Sequence, residues 1–165
     1  MRNFDEKIQE LLQKLLLMGR LAESMIQTAL RVLIERNEEL GAEVVDKENE
    51  VNELQIEIDD STVKLTALQQ PVGTDVRFLF MASRIATELE RIGDQAINII
   101  QKAPPILKSP SLRPLVDLPL MGEIAERMVR NSLEALVKRD CSMANLVLEE
   151  EKKGRERAGS LDSKG

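Results

Sequence analysis

The feature of this sequence that most constrains its fold is a long apolar repeat at alternating spacings of three and four residues. The repeat consists of Ile8, Leu11, Leu15, Met18, Ala22, Met25, Ala29 and Val32. This spacing places side chains on one face of an α-helix, predicted here from residue 5 to about residue 37. Further apolar residues widen the stripe, and a wide stripe favours a multi-helix bundle over a two-stranded coiled coil.

Two more segments show the same periodicity and are predicted to be helices. After a turn at residues 37–39, the second helix runs from about Leu40 to Leu68. It ends before Pro71, because proline disfavours a helical conformation in the residue that precedes it. The third helix runs from Asp75 to about Lys102. Three helices of similar length joined by short turns predict an all-α fold with a three-helix bundle over residues 1–103.

Proline then interrupts the helical pattern. Five of the six prolines lie between Ala103 and Pro119. Proline lacks the amide hydrogen that a helix interior needs and clashes with the preceding turn. Residues 104–119 are therefore predicted to be an extended, proline-rich linker.

The second half of the chain begins a repeat of the first. Residues 29–48 align without gaps to residues 132–151. We expect residues 120–153 to be the first helix and part of the second helix of an incomplete second bundle. Residues 154–165 have no apolar period and are predicted to be a disordered tail.

Charge and residue usage exclude several classes of function. The chain has 23 basic and 29 acidic residues, for a net charge of −6, which disfavours nucleic-acid binding. It has no histidine and one cysteine, which excludes imidazole-based catalysis and zinc sites built from these residues. No apolar run is long enough to span a bilayer, and no signal peptide is evident. These features predict a soluble, intracellular, mostly helical protein that does not insert into the membrane.

The third helix carries an acidic pair in an unusual place. Glu90 lies in a row of small and apolar residues, and Asp94 follows one turn later on the same face. Gly93 lies between them and leaves room for something to approach. Two adjacent carboxylates repel each other unless a cation or a proton lies between them. A solvated charged edge is the alternative interpretation.

The second helix offers a matching pair, Glu48 and Asn52, also four residues apart. Both pairs lie about 20 residues from the turn between the two helices, so antiparallel packing can bring them together. Three carboxylates and one amide oxygen form a hard, oxygen-only donor set that suits Mg²⁺, Ca²⁺, Mn²⁺ or oxygen-ligated iron. Without the third helix, this pair would be interpreted as ordinary helix surface.

Three arginines of the third helix, Arg77, Arg84 and Arg91, repeat every seven residues. Such a row can bind phosphate or an acidic partner, because arginine forms bidentate pairs with both. A solvated face on which the arginines pair with neighbouring glutamates is the commoner arrangement.

Two strings of residues resemble a known family. The segment 69–77 (QQPVGTDVR) and the segment 88–99 (ELERIGDQAINI) are similar to the PhoU family of phosphate-transport accessory proteins. The family's acid-x-x-x-Asp motif corresponds to Glu90 and Asp94, and its counterpart in the second helix corresponds to Glu48 and Asn52.

The resemblance implies a fold of two similar three-helix bundles and binding of metal ions of the iron, magnesium or manganese class at these four residues. It also implies a cytoplasmic homodimer that acts as a negative regulator of the phosphate-starvation response. The expected partners are the ATPase subunit of the phosphate ABC transporter and a sensor histidine kinase.

This chain departs from the family pattern in its second repeat. The positions that correspond to Glu48 and Asn52 are Glu151 and Arg155, and the counterparts of Glu90 and Asp94 lie beyond Gly165. Two alternatives therefore stand beside the regulatory function. One is a helical oligomerisation or interaction module without a ligand, and the other is a truncated, non-functional fragment.

Overall fold

The computed structural model describes residues 2–110 and 117–162, and over these residues the chain is all-α, as predicted. The helices are α1 (Arg2–Ile34), α2 (Gly41–Gln69), α3 (Thr74–Lys108), α4 (Asp117–Lys138) and α5 (Cys141–Asp162), with a short 3₁₀ turn at Glu38–Leu40. The chain divides into two compact units, Met1–Ser109 and Pro110–Gly165. No helix in the described part of the chain is long and apolar enough to cross a membrane.

The first unit is a three-helix bundle in which α1, α2 and α3 each pack against the other two. The predicted stripe of α1 forms the centre of its core. Its members Leu11, Leu15, Met18, Ala22, Met25, Ala29 and Val32 are all at most 1% exposed. Helix α2 contributes Val44, Val51, Ile58 and Leu65 to the same core. The apolar repeat therefore marks the face that each helix buries.

Two polar contacts show the antiparallel register between α1 and α2. Lys47 Nζ donates to Ser24 Oγ at 2.6 Å, and Lys14 Nζ lies 2.9 Å from Glu57 Oε2. From one pair to the other, each helix advances by ten residues, so a single register joins them. Lys47 interrupts the apolar stripe of α2, and its ammonium group is satisfied by Ser24 and by Glu43 on the preceding turn.

The prediction of an extended linker was wrong at both ends of that segment. Helix α3 continues through Pro104 and Pro105 to Lys108, and α4 begins at Asp117; residues 111–116 lie outside the described residues. The last turns of α3 bury Ala103, and Arg36 Nη2 donates to the carbonyl oxygens of Leu107 and Ser109, the latter at 2.9 Å. These contacts bind the end of α3, although each of the two prolines removes one backbone hydrogen bond from the helix.

The prediction of a disordered tail was also wrong as far as Asp162, because α5 is helical to that residue. Glu151 and Arg155 form an ion pair one turn apart, which stabilises a helix locally. A Cβ atom added at Gly154 would lie 3.8 Å from Ile124 Cγ2, so α4 closely approaches this part of α5. Residues 163–165 lie outside the described residues.

The internal repeat is visible in the backbone where α1 and α4 end. Arg36 and Arg139 both adopt the left-handed conformation, with φ of 54° and 51°. In each case the next amide donates to the carbonyl five residues back, from Asn37 to Val32 at 3.1 Å and from Asp140 to Ala135 at 2.9 Å. This is the Schellman motif that commonly ends helices. The two units therefore share one helix–turn–helix geometry.

Candidate functional site

Side-chain contacts between α2 and α3 set a second antiparallel register. Ser83 Oγ donates to Asp59 Oδ1 at 2.5 Å, and Gln55 Nε2 donates to Thr87 Oγ1 at 3.4 Å. Each helix advances by four residues between these pairs. The same register next places Asn52 beside Glu90 and then Glu48 beside Asp94. We call these eight residues the polar stripe: Glu48, Asn52, Gln55, Asp59, Ser83, Thr87, Glu90 and Asp94.

The structure brings three of the four predicted site residues into electrostatic contact. Burial raises the pKa of the Glu90 carboxyl, and the neighbouring charge of Asp94, a hydrogen bond to Asp94 and the charge of Glu48 raise it further. Arg91 opposes this shift in the pKa. The carboxylates are therefore close enough to repel one another, as the sequence predicts.

Asn52, the fourth predicted residue, is half-buried and lies one turn beyond Glu48 on α2. As the side chains stand, no three acidic or thiol groups within residues 2–110 and 117–162 converge tightly enough to hold one metal ion. The arrangement supplies hard oxygen donors from two helices, and coordination of one ion by all three carboxylates requires side-chain movement.

Gly93 has a different role from the one its sequence context suggests. A Cβ atom at this position would lie 3.2 Å from Met25 Cε and 3.3 Å from Met25 Sδ. Met25 is itself completely buried in α1. The space that the glycine leaves is therefore filled by a core methionine, and its purpose is close packing of α1 against α3.

Four residues of the polar stripe were not predicted from the sequence as site residues: Gln55, Asp59, Ser83 and Thr87. Ser83 belongs to the same helical row as Glu90, seven residues before it. Asp59 of α2 accepts a hydrogen bond from Ser83. The signal available in the sequence was the presence of two polar residues, Ser83 and Glu90, seven apart in an otherwise apolar row.

The second unit has no equivalent acidic pair at the corresponding positions of α5. There Glu151 forms an ion pair with Arg155. The guanidinium supplies the positive charge that a cation would supply in the first unit. The candidate site therefore belongs to the first unit.

The arginine row of α3 divides into two kinds of environment. Arg91 Nη1 donates to both carboxylate oxygens of Glu88, at 3.2 and 3.0 Å. Arg77 and Arg84 are exposed and form no ion pair within the described residues. All three arginines therefore lie on a solvated face, but only Arg91 pairs with a neighbouring glutamate.

Comparison with known proteins identifies the family. The profile of the PhoU domain matches residues 15–103 and again residues 118–161, which together make up most of the chain. The chain belongs to the PhoU family. Both matches coincide with the two structural units, so the second unit is a further copy of the domain pattern.

Curated relatives of this PhoU-family chain share about a third of its residues. The "Phosphate-specific transport system accessory protein PhoU homolog" of Zymomonas mobilis is 36% identical over 146 residues, covering 88% of this chain and 62% of that protein. The protein of the same name from Aquifex aeolicus is 30% identical and covers 88% of this chain and 66% of its own length. The chain thus spans slightly less than two thirds of the length of these relatives.

Solved PhoU structures share the fold. The crystal structure of PhoU from Pseudomonas aeruginosa superposes with a TM-score of 0.89 at 28% identity and covers 97% of this chain and 78% of that one. PhoU from Streptococcus pneumoniae superposes with a TM-score of 0.82 at 25% identity, covering 91% and 70%. The identification as a PhoU-family, all-α protein is therefore confirmed.

Proposed function

We propose that this chain acts as a regulatory accessory protein of phosphate transport and represses the phosphate-starvation response when phosphate is plentiful. The observation that carries the proposal is the Glu-Arg-Ile-Gly-Asp string of α3 within a PhoU-domain match, with Glu90 and Asp94 packed beside Glu48. The names of the relatives, which describe accessory proteins of a phosphate-specific transport system, support the same process.

The mechanism we propose is metal-dependent docking and not catalysis. Glu48, Asn52, Glu90 and Asp94 would hold a divalent or ferric ion, because carboxylate and amide oxygens are the ligands that such hard cations prefer. The bound ion would supply positive charge. Neutralising the repulsion between Glu90 and its neighbours would fasten α2 to α3, and the surface that these helices present would become more rigid.

The partners we propose are those that the family implies. A cytoplasmic homodimer would link the ATPase subunit of the phosphate ABC transporter to a sensor histidine kinase. The fold supports a role in docking, because a bundle of long helices presents extended, mostly polar faces.

Complementation tests the regulatory role. Cells that lack their own PhoU would express this chain, and alkaline phosphatase would be measured in high phosphate. We expect the chain to restore repression and the double variant Glu90→Gln/Asp94→Asn to fail. Glu88→Gln is the matched control, because Glu88 is an exposed acid of the same helix outside the polar stripe. Phosphatase output that stays high with the unaltered chain would contradict the proposal.

A helical interaction module without a ligand is the second candidate. Two observations favour it. Among the described residues no three acidic side chains lie close enough together to hold a metal ion, and Met25 fills the space beside Gly93. Thermal unfolding separates the two candidates. An ion that binds the folded state must raise the melting temperature of the unaltered chain and leave that of the double variant unchanged.

A further inference from the structure

A cavity of about 410 Å³ opens between the beginning of α1 and the end of α2. Volumes in this range are typical of sites for small molecules. Its walls consist of Asn3, Lys7, Glu10, Leu11, Lys14, Ser61, Lys64, Leu65, Leu68 and Gln69. Lys64 lies sixteen residues from Glu48, which is about 24 Å along a helix, so the cavity is distant from the acidic end of the polar stripe.

The cavity exists because a small polar residue interrupts the apolar stripe of α2. Ser61 lies on the side of α2 that faces α1, between the apolar residues Leu54 and Leu68 of the same row. The α1–α2 register places Ser61 opposite Glu10 of α1, four residues beyond the contact of Lys14 with Glu57. Neither side chain fills the space that two apolar residues would occupy at this level.

Lysine is the commonest charged residue in the walls of this cavity. Three of the lining residues are lysines, and one is a glutamate. Three residues further along the same register, Lys7 lies opposite Lys64. Like charges that face each other across two helices are unfavourable, and an anion between them relieves the repulsion.

Each lysine also has a carboxylate neighbour. Lys7 Nζ lies 2.7 Å from Glu10 Oε2, Lys14 pairs with Glu57, and Lys64 Nζ lies 4.0 Å from Asp60 Oδ2. These ion pairs are exposed to water and therefore weak, so a ligand with two negative charges can compete with them.

We propose that this cavity binds a small organic phosphate. The lysines would hold the phosphate group, since lysine binds phosphate as a compact point charge. Leu11, Leu65 and Leu68 form an apolar wall, and the carbon part of the ligand would pack mainly on Leu68, because Leu11 and Leu65 are almost fully buried. The lining has no aromatic side chain, which favours an aliphatic ligand over a stacked nucleobase.

Isothermal titration calorimetry with hexyl phosphate, inorganic phosphate and hexanol tests the proposal. We expect hexyl phosphate to bind the full chain most tightly, because it alone engages both the lysines and the apolar wall. The double variant Lys7→Gln/Lys64→Gln should weaken binding about tenfold or more. Lys102→Gln, an exposed lysine of α3, is the control and should bind as the unaltered chain does.

A second variant keeps the test independent of folding defects. Ser61→Leu restores the apolar stripe and fills the cavity, so it should abolish binding without lowering the melting temperature. The proposal is overturned if the unaltered chain does not bind hexyl phosphate at millimolar concentration, or if the lysine pair can be replaced without loss of affinity. It is also overturned if Ser61→Leu still binds.

Discussion

At the scale of single residues, Glu90 has an environment that differs from that of an ordinary surface acid. It lies in an apolar row of α3, half-buried beside Asp94 and within the field of Glu48. Burial is the largest cause of its raised pKa, and the two neighbouring acids act in the same direction. The folded chain therefore favours the protonated form of this carboxyl more than the unfolded chain does.

This difference predicts a pH dependence for the metal-free protein. A carboxyl whose pKa is raised on folding stabilises the fold below its ordinary pKa, and that contribution is lost as the pH rises through the folded-state value. Glu90→Gln should therefore increase the free energy of unfolding at pH 7, and the gain should shrink towards pH 4. Urea unfolding across this range checks the prediction, with Glu88→Gln as the control. A gain that is the same at both pH values would contradict it.

Gly93 gives a second prediction at this scale. Gly93→Leu should destabilise the first unit by about 1–3 kcal/mol or more, because the added side chain collides with the buried Met25. A Cβ at Gly159 of α5 meets no atom within 4 Å, so Gly159→Leu is the matched control and should be neutral or slightly stabilising. Thermal unfolding of both variants tests the difference. Equal melting temperatures would show that the α1–α3 contact is looser than described.

At the scale of elements, the ends of α1 and α4 show how one local sequence builds the same turn twice. In the turn after each helix an arginine, Arg36 or Arg139, adopts the left-handed conformation. The next residue is Asn37 after α1 and Asp140 after α4. The side chain of that residue then caps the next segment, from Glu39 N to Asn37 Oδ1 at 3.0 Å and from Ser142 N to Asp140 Oδ1 at 2.9 Å. Asparagine and aspartate favour such turns because they bond the backbone two residues on.

The two arginines should respond differently to the same substitution. Arg139→Gly should stabilise the α4–α5 pair by about 1 kcal/mol, since glycine adopts the left-handed conformation without steric cost. Arg36→Gly should gain less or lose stability, because it also removes the guanidinium that binds the carbonyl oxygens of Leu107 and Ser109. Hydrogen exchange of the amides in α5 and at the end of α3 checks each effect. Equal gains at both sites would mean that Arg36 does not hold the end of α3.

At the scale of the whole molecule, two copies of one domain pattern differ in their acidic residues. The first unit presents Glu48, Glu90 and Asp94 together, whereas in the second unit Glu151 is already neutralised by Arg155. A cation therefore has an electrostatic reason to bind the first unit and none at the matching positions of α5.

This asymmetry predicts where a metal ion stabilises the chain. Addition of Mn²⁺ should slow hydrogen exchange in α2 and α3 and leave α4 and α5 unchanged, because only the part that binds the ion gains stability. Glu90→Gln/Asp94→Asn should abolish the effect. Protection that appears equally in α4 and α5 would contradict a site confined to the first unit.

Local chemistry explains what could be predicted from the sequence. The apolar period of α1 named seven buried residues correctly and also included Ile8, which is only half-buried. The spacing of the acidic pairs named side chains that the structure brings near one another. Both succeed because helical geometry maps spacing directly onto a face. The resemblance to the PhoU family included the segment 88–99, which contains Glu90 and Asp94, and the domain match confirms the family.

Tertiary contacts decided the rest. Helix α3 continues through Pro104 and Pro105 to an end that Arg36 contacts from about 70 residues away in the sequence, and the role of Gly93 depends on Met25 of another helix. Helix α5 carries the Glu151–Arg155 ion pair where α4 approaches it at Gly154. By itself the sequence determined the helices, their buried faces and the position of the acidic motif, because these follow from local periodicity. Only the folded chain decided where the helices end and which space remains open, because those depend on contacts between residues far apart in the sequence.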